Sequence, residues 1–207
     1  MAETTSAPAR RGGLARLAAE AAGCTACDLY RNATQTVFGQ GPAGARVMLV
    51  GEQPGDQEDR AGAPFVGPAG RILDEALAEA GLRRDEVYLT NAVKHFKWAA
   101  KGKRRIHQKP GAREVAACHQ WLDAELAAVD PAVIVALGAT AGQALFGRDF
   151  RVGQARGEVL DLGGRAVVAT IHPSAVLRVQ DPADRDEQYA GLVADLRRAA
   201  TLDKETR

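Results

Sequence analysis

The sequence predicts an α/β protein, a three-layer α/β/α sandwich around a central, mainly parallel four-stranded sheet. Two observations lead to this prediction. Short β-prone runs alternate along the chain with longer helical patterns, which is the order expected when helices connect parallel strands. In addition, each β-prone run ends at glycines or polar residues, and ligands of such sheets bind beyond the carboxyl ends of the strands.

Taken in chain order, the predicted elements begin with a helix and end with one. Four short apolar runs predict strands at residues 46–50, 87–90, 132–137 and 166–170. Helical patterns precede, separate and follow them, at residues 14–22, 68–80, 113–129, 140–146 and 184–200. Strands that alternate with helices in this way imply helices on both faces of the sheet.

The ends of the chain add no second domain to this prediction. Residues 1–13 are rich in Ala, Thr, Pro and Arg and lack an apolar segment, so we expect a flexible N-terminal tail rather than a signal peptide. Residues 14–207 then form a single domain. The longest apolar run, 132–137, is too short to span a bilayer. We therefore expect a cytoplasmic monomer with no membrane partner.

Three cysteines, an odd number, indicate metal or redox chemistry rather than disulfides in a reducing compartment. Cys24 and Cys27 share a turn after the first helix, and two thiolates at this spacing suit one metal or cluster. Cys118 supplies a third thiolate or is a buried helix residue, and the fourth ligand is then His95 or His119. Zinc and an iron–sulfur cluster fit equally well on this chemistry alone, whereas a thioredoxin-like pair would normally follow a strand.

The exit of the first strand is the most informative segment. Gly51 opens the run Gly-Glu-Gln-Pro-Gly, in which glycines permit close approach of the backbone. Glu52 and Asp59 place carboxylates there, suited to polarising a water or a histidine. Phe65, between Pro64 and a glycine turn, offers an exposed ring for stacking on a planar base. The alternative is a surface loop whose Phe is tucked into the core.

Two further strand exits carry side chains suited to base chemistry. Asn91 closes the second strand, and its amide can pair with a pyrimidine edge through two hydrogen bonds. It is otherwise a cap or turn residue. His172, in a His-Pro-Ser run, can donate to an oxygen that gains negative charge as a base departs. It is otherwise a turn histidine.

One short stretch is strongly basic. Six cations without an intervening acid lie in it, and they are Lys94, Lys97, Lys101, Lys103, Arg104 and Arg105. Such a run is either a solvated loop or a surface that contacts phosphates.

Together these motifs resemble the uracil-DNA glycosylase superfamily, nearest to its iron–sulfur-containing family four. Four motifs carry the resemblance in order, and they are Gly51-Glu-Gln-Pro-Gly, Pro64-Phe-Val-Gly, Thr90-Asn-Ala-Val-Lys and His172-Pro-Ser. The resemblance implies a 4Fe–4S cluster held by Cys24, Cys27 and Cys118, with His95 at the position where the family has a fourth cysteine.

A departure from ordinary family-four sequences points to one branch. The insert Lys-Arg-Arg-Ile-His, ending at His107, resembles the UdgX branch, as does Gln53. That resemblance implies a protein that excises uracil and becomes covalently attached to the abasic sugar through His107, in a single turnover. The rival predictions are a conventional multiple-turnover uracil-DNA glycosylase and a non-catalytic DNA-binding module with a structural zinc.

The resemblance also implies a role for each candidate residue. His107 is the nucleophile, Glu52 orients it or accepts its proton, Asp59 supports this network or braces the loop, and His172 stabilises the departing uracil. The implied uracil-binding residues are Phe65, Asn91, Gln53 and Gly51. The implied DNA-binding residues are Lys94, Lys103, Arg104, Arg105 and Ser174. The expected partners are uracil-containing DNA and uracil.

Overall fold

The computed structural model describes residues 13–206, so the predicted tail lies, except for Gly13, outside the described residues. Seven strands are present in this part of the chain. They are β1 (Val47–Gly51), β2 (Tyr88–Asn91), β3 (Trp98–Lys101), β4 (Arg104–His107), β5 (Val133–Leu137), β6 (Val159–Leu162) and β7 (Arg165–Thr170). All four predicted strands are found, each within one residue of its predicted ends.

The helices match the predicted pattern and add three short ones. They are α1 (Leu14–Ala22), α2 (Asp56–Ala61), α3 (Pro68–Glu79), α4 (Ala112–Val129), α5 (Ala139–Phe146), α6 (Val152–Ala155), α7 (Ser174–Arg178) and α8 (Pro182–Glu205). The single turn Asp28–Arg31 is 3₁₀-helical. Three of these helices, α2, α6 and α7, have six residues or fewer, too few for a helical repeat to show in the sequence.

The central sheet has five strands, not four, in the order β2-β1-β5-β7-β6. The first four run parallel, as predicted, and β6 pairs antiparallel with β7 at the edge. Gly163 and Gly164 join β6 to β7, and both have positive φ, as a two-residue hairpin turn requires. β6 was not predicted because Asp161 interrupts its short apolar run.

Helices cover both faces of this sheet, which confirms the three-layer α/β/α architecture. Along β1, Val47 and Leu49 pack into the layer that contains α3 and α8. Met48 and Val50 point the other way, into the layer that contains α4 and α5. A strand whose alternate side chains are all buried in this way must be covered on both faces. In the part of the chain described, helix length and hydropathy nowhere suffice for a membrane span.

The basic stretch, from Lys101 onward, lies in a β-hairpin rather than a loop. Strands β3 and β4 pair only with each other, with Trp98 opposite His107, and Gly102 turns the chain at φ +60°. Both strands are mostly exposed, so neither shows the apolar alternation that would reveal a strand in the sequence.

Candidate active site

The exits of the four parallel strands meet at one cavity of about 710 Å³. Glu52 follows β1, Asn91 ends β2, Gly138 follows β5 and His172 follows β7, and all four line the cavity. His107 reaches the same cavity from the end of β4. The volume lies within the usual range of small-molecule sites. The edge of the sheet therefore gathers the polar residues into one concave site.

Glu52 is the centre of a hydrogen-bonded group on one wall of the cavity. Its Oε1 lies 3.3 Å from Nε2 of His107, and its Oε2 accepts a hydrogen bond from the Thr140 hydroxyl. Burial by itself raises the pKa of this carboxyl, but the bonds from His107 and Thr140 outweigh burial, and the pKa lies below its ordinary value. Glu52 is therefore a carboxylate, aimed at the ring of His107.

His172 is held as a neutral hydrogen-bond donor. The backbone N–H of Ser174 donates to Nδ1 at 3.1 Å, so Nδ1 carries the lone pair and the proton is on Nε2. The Ser174 hydroxyl accepts from Arg178 at 3.0 Å and lies 2.8 Å from the same Nδ1. Burial lowers the pKa of His172 to about 4, against the opposing charge of Glu52. Ser174, predicted to contact DNA, thus fixes the tautomer of His172.

Phe65 lines the cavity, but its ring is not exposed as the sequence analysis predicted. Only 5% of the residue is accessible, and its ring stacks on His172 with the centroids 6.1 Å apart. Its φ of +54° is a strained value for a bulky residue. A Cβ on Gly70 would lie 1.9 Å from the Phe65 carbonyl oxygen, so the glycine permits this bend. The ring is buried because its loop folds back onto α3.

Asn91 is buried beside Phe65 and has a free side chain. Its side-chain amide forms no hydrogen bond within the described part of the chain and faces the cavity. A Cβ on Gly51 would lie 2.3 Å from the Asn91 Oδ1 and 2.7 Å from the Phe65 Cζ. Gly51 does not line the cavity, but its missing side chain makes room for both residues that do.

Lys94, predicted to contact DNA, is wholly buried, and that prediction is wrong. Its Nζ lies 2.5 Å from Glu125 Oε2 and donates to the Thr90 hydroxyl and the Asn91 carbonyl, each at 2.7 Å. Glu125 also accepts hydrogen bonds from the Gly39 N–H and from the hydroxyl groups of Tyr88 and Thr90. A lysine with no exposed surface cannot contact a phosphate. Lys94 instead stabilises the end of β2 through its hydrogen bond to the Asn91 carbonyl.

Arg105 is likewise paired internally rather than free for DNA. Its side chain is 14% exposed and binds the carboxylates of Asp56 and Asp59. Asp59 has no exposed surface, accepts from the Thr34 N–H and hydroxyl, and does not line the cavity. The catalytic assignment of Asp59 therefore finds no geometric support. The alternative prediction, that it braces the loop, matches these contacts.

Gln53 binds the backbone at the base of the hairpin. Its amide donates to the carbonyls of Lys97 and Gln108 and accepts from the Lys97 N–H, at 3.0 to 3.3 Å. It lines the cavity, but both ends of its amide are used by the protein. Its predicted contact with uracil is thus replaced by a contact that holds His107 in place. Lys103 and Arg104, at the hairpin turn, are exposed.

Several cavity residues were not predicted. The Glu58 carboxylate accepts from the Gly67 N–H at 2.6 Å and the Gly55 N–H at 3.1 Å. It thereby joins the loop before α2 to the loop before α3. Thr140 and Arg178 bind the groups described above, and Leu177 exposes 47% of its surface at the cavity. The spacing of Glu58 after Gly55 is that of a capping-box residue, a signal available in the sequence.

The three cysteines lie in one apolar cluster between α1 and α4. Cys24 Sγ accepts a hydrogen bond from Trp121 Nε1, and Cys118 Sγ accepts one from the Lys94 N–H, both at 3.2 Å. Burial raises the pKa of Cys118 to about 11 and also raises that of Cys27. Within residues 13–206, no three His, Cys, Asp or Glu side chains form a group that could hold a single metal ion.

His95 is next to this cluster in a form suited to metal binding. The Thr36 hydroxyl donates its hydrogen to the Ala21 carbonyl at 3.1 Å, so it accepts from His95 Nε2 at 2.9 Å. That assignment leaves the lone pair on Nδ1. Burial lowers the pKa of His95, which favours the neutral ring that ligates metals. The other candidate, His119, is half-exposed and pairs with Asp123 on α4.

Comparison with known proteins gives one consistent result. The model of the family described as the uracil DNA glycosylase superfamily matches residues 38–197, which include every cavity residue but neither Cys24 nor Cys27. The chain is 43% identical over 157 residues to a type-4 uracil-DNA glycosylase of Thermotoga maritima, covering 75% of this chain and 78% of that protein. It is 40% identical over 162 residues to a type-4 uracil-DNA glycosylase of Archaeoglobus fulgidus, covering 74% and 78%. A type-5 uracil-DNA glycosylase of Pyrobaculum aerophilum is 38% identical over 152 residues, covering 65% and 63%.

Proposed function

Because this chain belongs to the uracil DNA glycosylase superfamily, we propose that it cleaves the N-glycosidic bond of uracil in DNA and is left covalently attached to the abasic sugar through His107. One observation carries the proposal beyond the family. The cavity is large enough for a base. It is lined by the free amide of Asn91, the Phe65 ring and neutral His172, and also by the Glu52–His107 pair.

Uracil enters this cavity only after it leaves the base stack, at a cost of a few kcal/mol in a duplex and less in a single strand. Phe65 offers its face to the extruded base, and the unpaired amide of Asn91 reads the N3 and O4 edge. Because Asn91, at the end of β2, and Phe65, in the loop before α3, are both buried, the base meets a preformed surface.

Cleavage leaves positive character at C1′ and negative charge on uracil. The Nε2–H of His172 donates to the oxygen that gains this charge, a contribution of roughly 3 kcal/mol for one such donor. Because the pKa of His172 is about 4, its ring is neutral at pH 7. The single ring proton is on Nε2, since Nδ1 accepts from the Ser174 N–H. Ser174 and Arg178 keep the ring in this orientation.

His107 then captures the sugar in place of water. A C–N bond forms between its imidazole and C1′ while the N-glycosidic bond breaks, and uracil takes the bonding electron pair. The imidazole proton passes to Glu52, whose Oε1 lies 3.3 Å from Nε2. An imidazole bound to a saturated carbon is a poor leaving group, so the product persists and each protein molecule reacts once. Lys103, Arg104 and Ser174 remain the proposed contacts to the DNA backbone.

The test is a denaturing gel of the protein mixed with an oligonucleotide that contains one uracil. We expect a heat-stable shifted band from the parent and none from His107→Ala. Ile106→Ala is the matched control, because neighbouring side chains of a strand point to opposite faces, and it should keep the band. A band from His107→Ala would refute the nucleophile. Repeated uracil release by the parent without a shifted band would establish the conventional glycosylase, which shares the same base pocket.

We propose further that Cys24, Cys27, Cys118 and His95 hold a 4Fe–4S cluster. The donor set fits such a cluster. All three thiols lie in one apolar cluster, and those of Cys24 and Cys118 accept N–H···S bonds. His95, the residue after Lys94, has a free lone pair on Nδ1. When bound, the cluster would join the turn after α1 to α4 and to the segment that precedes the hairpin. Iron and sulfide analysis with an absorbance band near 400 nm tests this, and bound zinc would refute it.

A further inference from the structure

A second cavity of about 510 Å³ lies beside the uracil cavity, between α4 and α5. Thr140 borders both cavities, because its hydroxyl binds Glu52 on one side while the residue lines the groove on the other. The chain also connects them, since Lys109 at the rim follows His107 by two residues, at most about 7 Å of extended backbone. The second cavity thus opens within two residues of the proposed nucleophile.

The chemistry of the groove is that of a nucleotide site. Its floor is apolar, formed by Pro110, Val115 and Ala144, while Lys109 and Arg148 stand exposed at its rim. Neither cation forms an ion pair or a side-chain hydrogen bond with another described residue. None of the described residues that line this groove is acidic, whereas three acids line the uracil cavity. Apolar surface suits a base and sugar, and free cations suit a phosphate.

We infer that this groove receives the nucleotide adjacent to uracil in the same DNA strand, with its phosphate at Lys109 and Arg148. The inference rests on the proposed function, because it takes its occupant from the sugar held at His107. A DNA strand can enter the groove without its complementary strand, and the nucleotide bound there is unstacked from its neighbours. It therefore makes the protein sensitive to the length of strand on one side of uracil and not on the other.

The experiment compares single-stranded oligonucleotides with one uracil and either no nucleotide or a few nucleotides on its 5′ or 3′ side. The rate of uracil release or adduct formation is measured at subsaturating DNA. For the parent, extension on one side should raise this rate about tenfold, and extension on the other side far less. Lys109→Gln/Arg148→Gln should lose that gain and react like the parent on the shortest substrate. Lys204→Gln is the control, since its neighbour Asp203 binds Arg46 at the amino-terminal end of β1, whereas the cavities lie at the carboxyl ends of the strands.

Salt dependence gives a second measure of the same interaction. The slope of log rate against log salt on the longer substrate should fall by about 0.7 for each phosphate that the variant no longer binds. An unchanged length effect in the double variant would overturn the inference, and so would an equal loss on the shortest substrate. A free deoxynucleoside monophosphate that restores the full gain to the shortest substrate would identify an effector site instead. If the parent releases no uracil from any oligonucleotide, the proposed function itself fails.

Discussion

The two halves of the proposed uracil cavity are built in opposite ways. The proposed base-reading floor comprises Phe65 and Asn91, which line the cavity, and Gly51 and the Lys94–Glu125 pair, which support them, and every one of these residues is buried. The hairpin β3–β4 is mostly exposed, and the His107 side chain is 50% accessible. The proposed recognition of uracil thus depends on the core of the sheet, while the proposed nucleophile is on a hairpin attached by a few side chains. Mutations should therefore affect the two halves differently.

The largest effect is expected from Lys94 in the floor. Lys94→Met leaves Glu125 as an unpaired buried charge, which should lower the free energy of unfolding by about 3–5 kcal/mol. Lys94→Met/Glu125→Gln removes both charges and should recover most of that loss. Urea unfolding of the two variants and the parent measures both effects. If the single variant were as stable as the double, the pair would not be a coupled part of the floor.

Gly51→Ala should disturb the floor without removing any side chain from it. The new Cβ would lie 2.3 Å from Asn91 Oδ1, and overpacking of this kind costs about 1–3 kcal/mol. Because the displaced atoms belong to Asn91 and Phe65, the rate of uracil release should fall by more than the loss of folded protein alone would cause. Gly44→Ala is the matched control, since nothing lies within 4 Å of a Cβ there. Equal activity of the two variants would mean that Asn91 does not read the base.

Arg105→Gln should affect the hairpin and spare the floor. Asp59 loses its ion pair but keeps both hydrogen bonds from Thr34, so we expect a loss of about 1–3 kcal/mol, the cost of leaving a buried polar group without one of its partners. Adduct formation should slow markedly while the affinity for free uracil stays the same. Lys101→Gln, at the exposed hairpin turn, serves as the control. A fall in uracil affinity would show that floor and hairpin are not independent.

The smallest effect is a pH dependence at His172, where the two halves meet. Its folded-state pKa of about 4 is below the ordinary value of about 6.5, so the unfolded chain binds this proton first as the pH falls. The contribution of His172 to stability is complete above pH 6.5 and declines toward pH 4. The stability difference between parent and His172→Gln should therefore narrow between pH 7 and pH 5. A difference that stays constant would place His172 in an environment exposed to water.

The sequence predicted the strand exits better than the ion pairs that support them, for a physical reason. Strand exits are marked locally, because glycines or polar residues follow the apolar runs within one or two positions. The partners of Lys94 and Arg105 are not marked, since Glu125 and Asp59 lie 31 and 46 residues away. A cation that neutralises a buried carboxylate looks the same in a sequence as one that meets a phosphate. The predicted DNA contact of Lys94 was wrong for this reason, and Arg105 pairs internally in the same way.

Lys94 also makes contact with α4 at two places. Its backbone N–H binds Cys118, and its ammonium group binds Glu125, seven residues further along the same helix face. At 1.5 Å per residue, two turns of helix set these positions about 10 Å apart. α4 thereby fixes the distance between the cysteine cluster and the proposed base-reading floor. Inserting one residue between 118 and 125 would rotate one end by about 100° and put the two sites out of register, although neither site itself was altered.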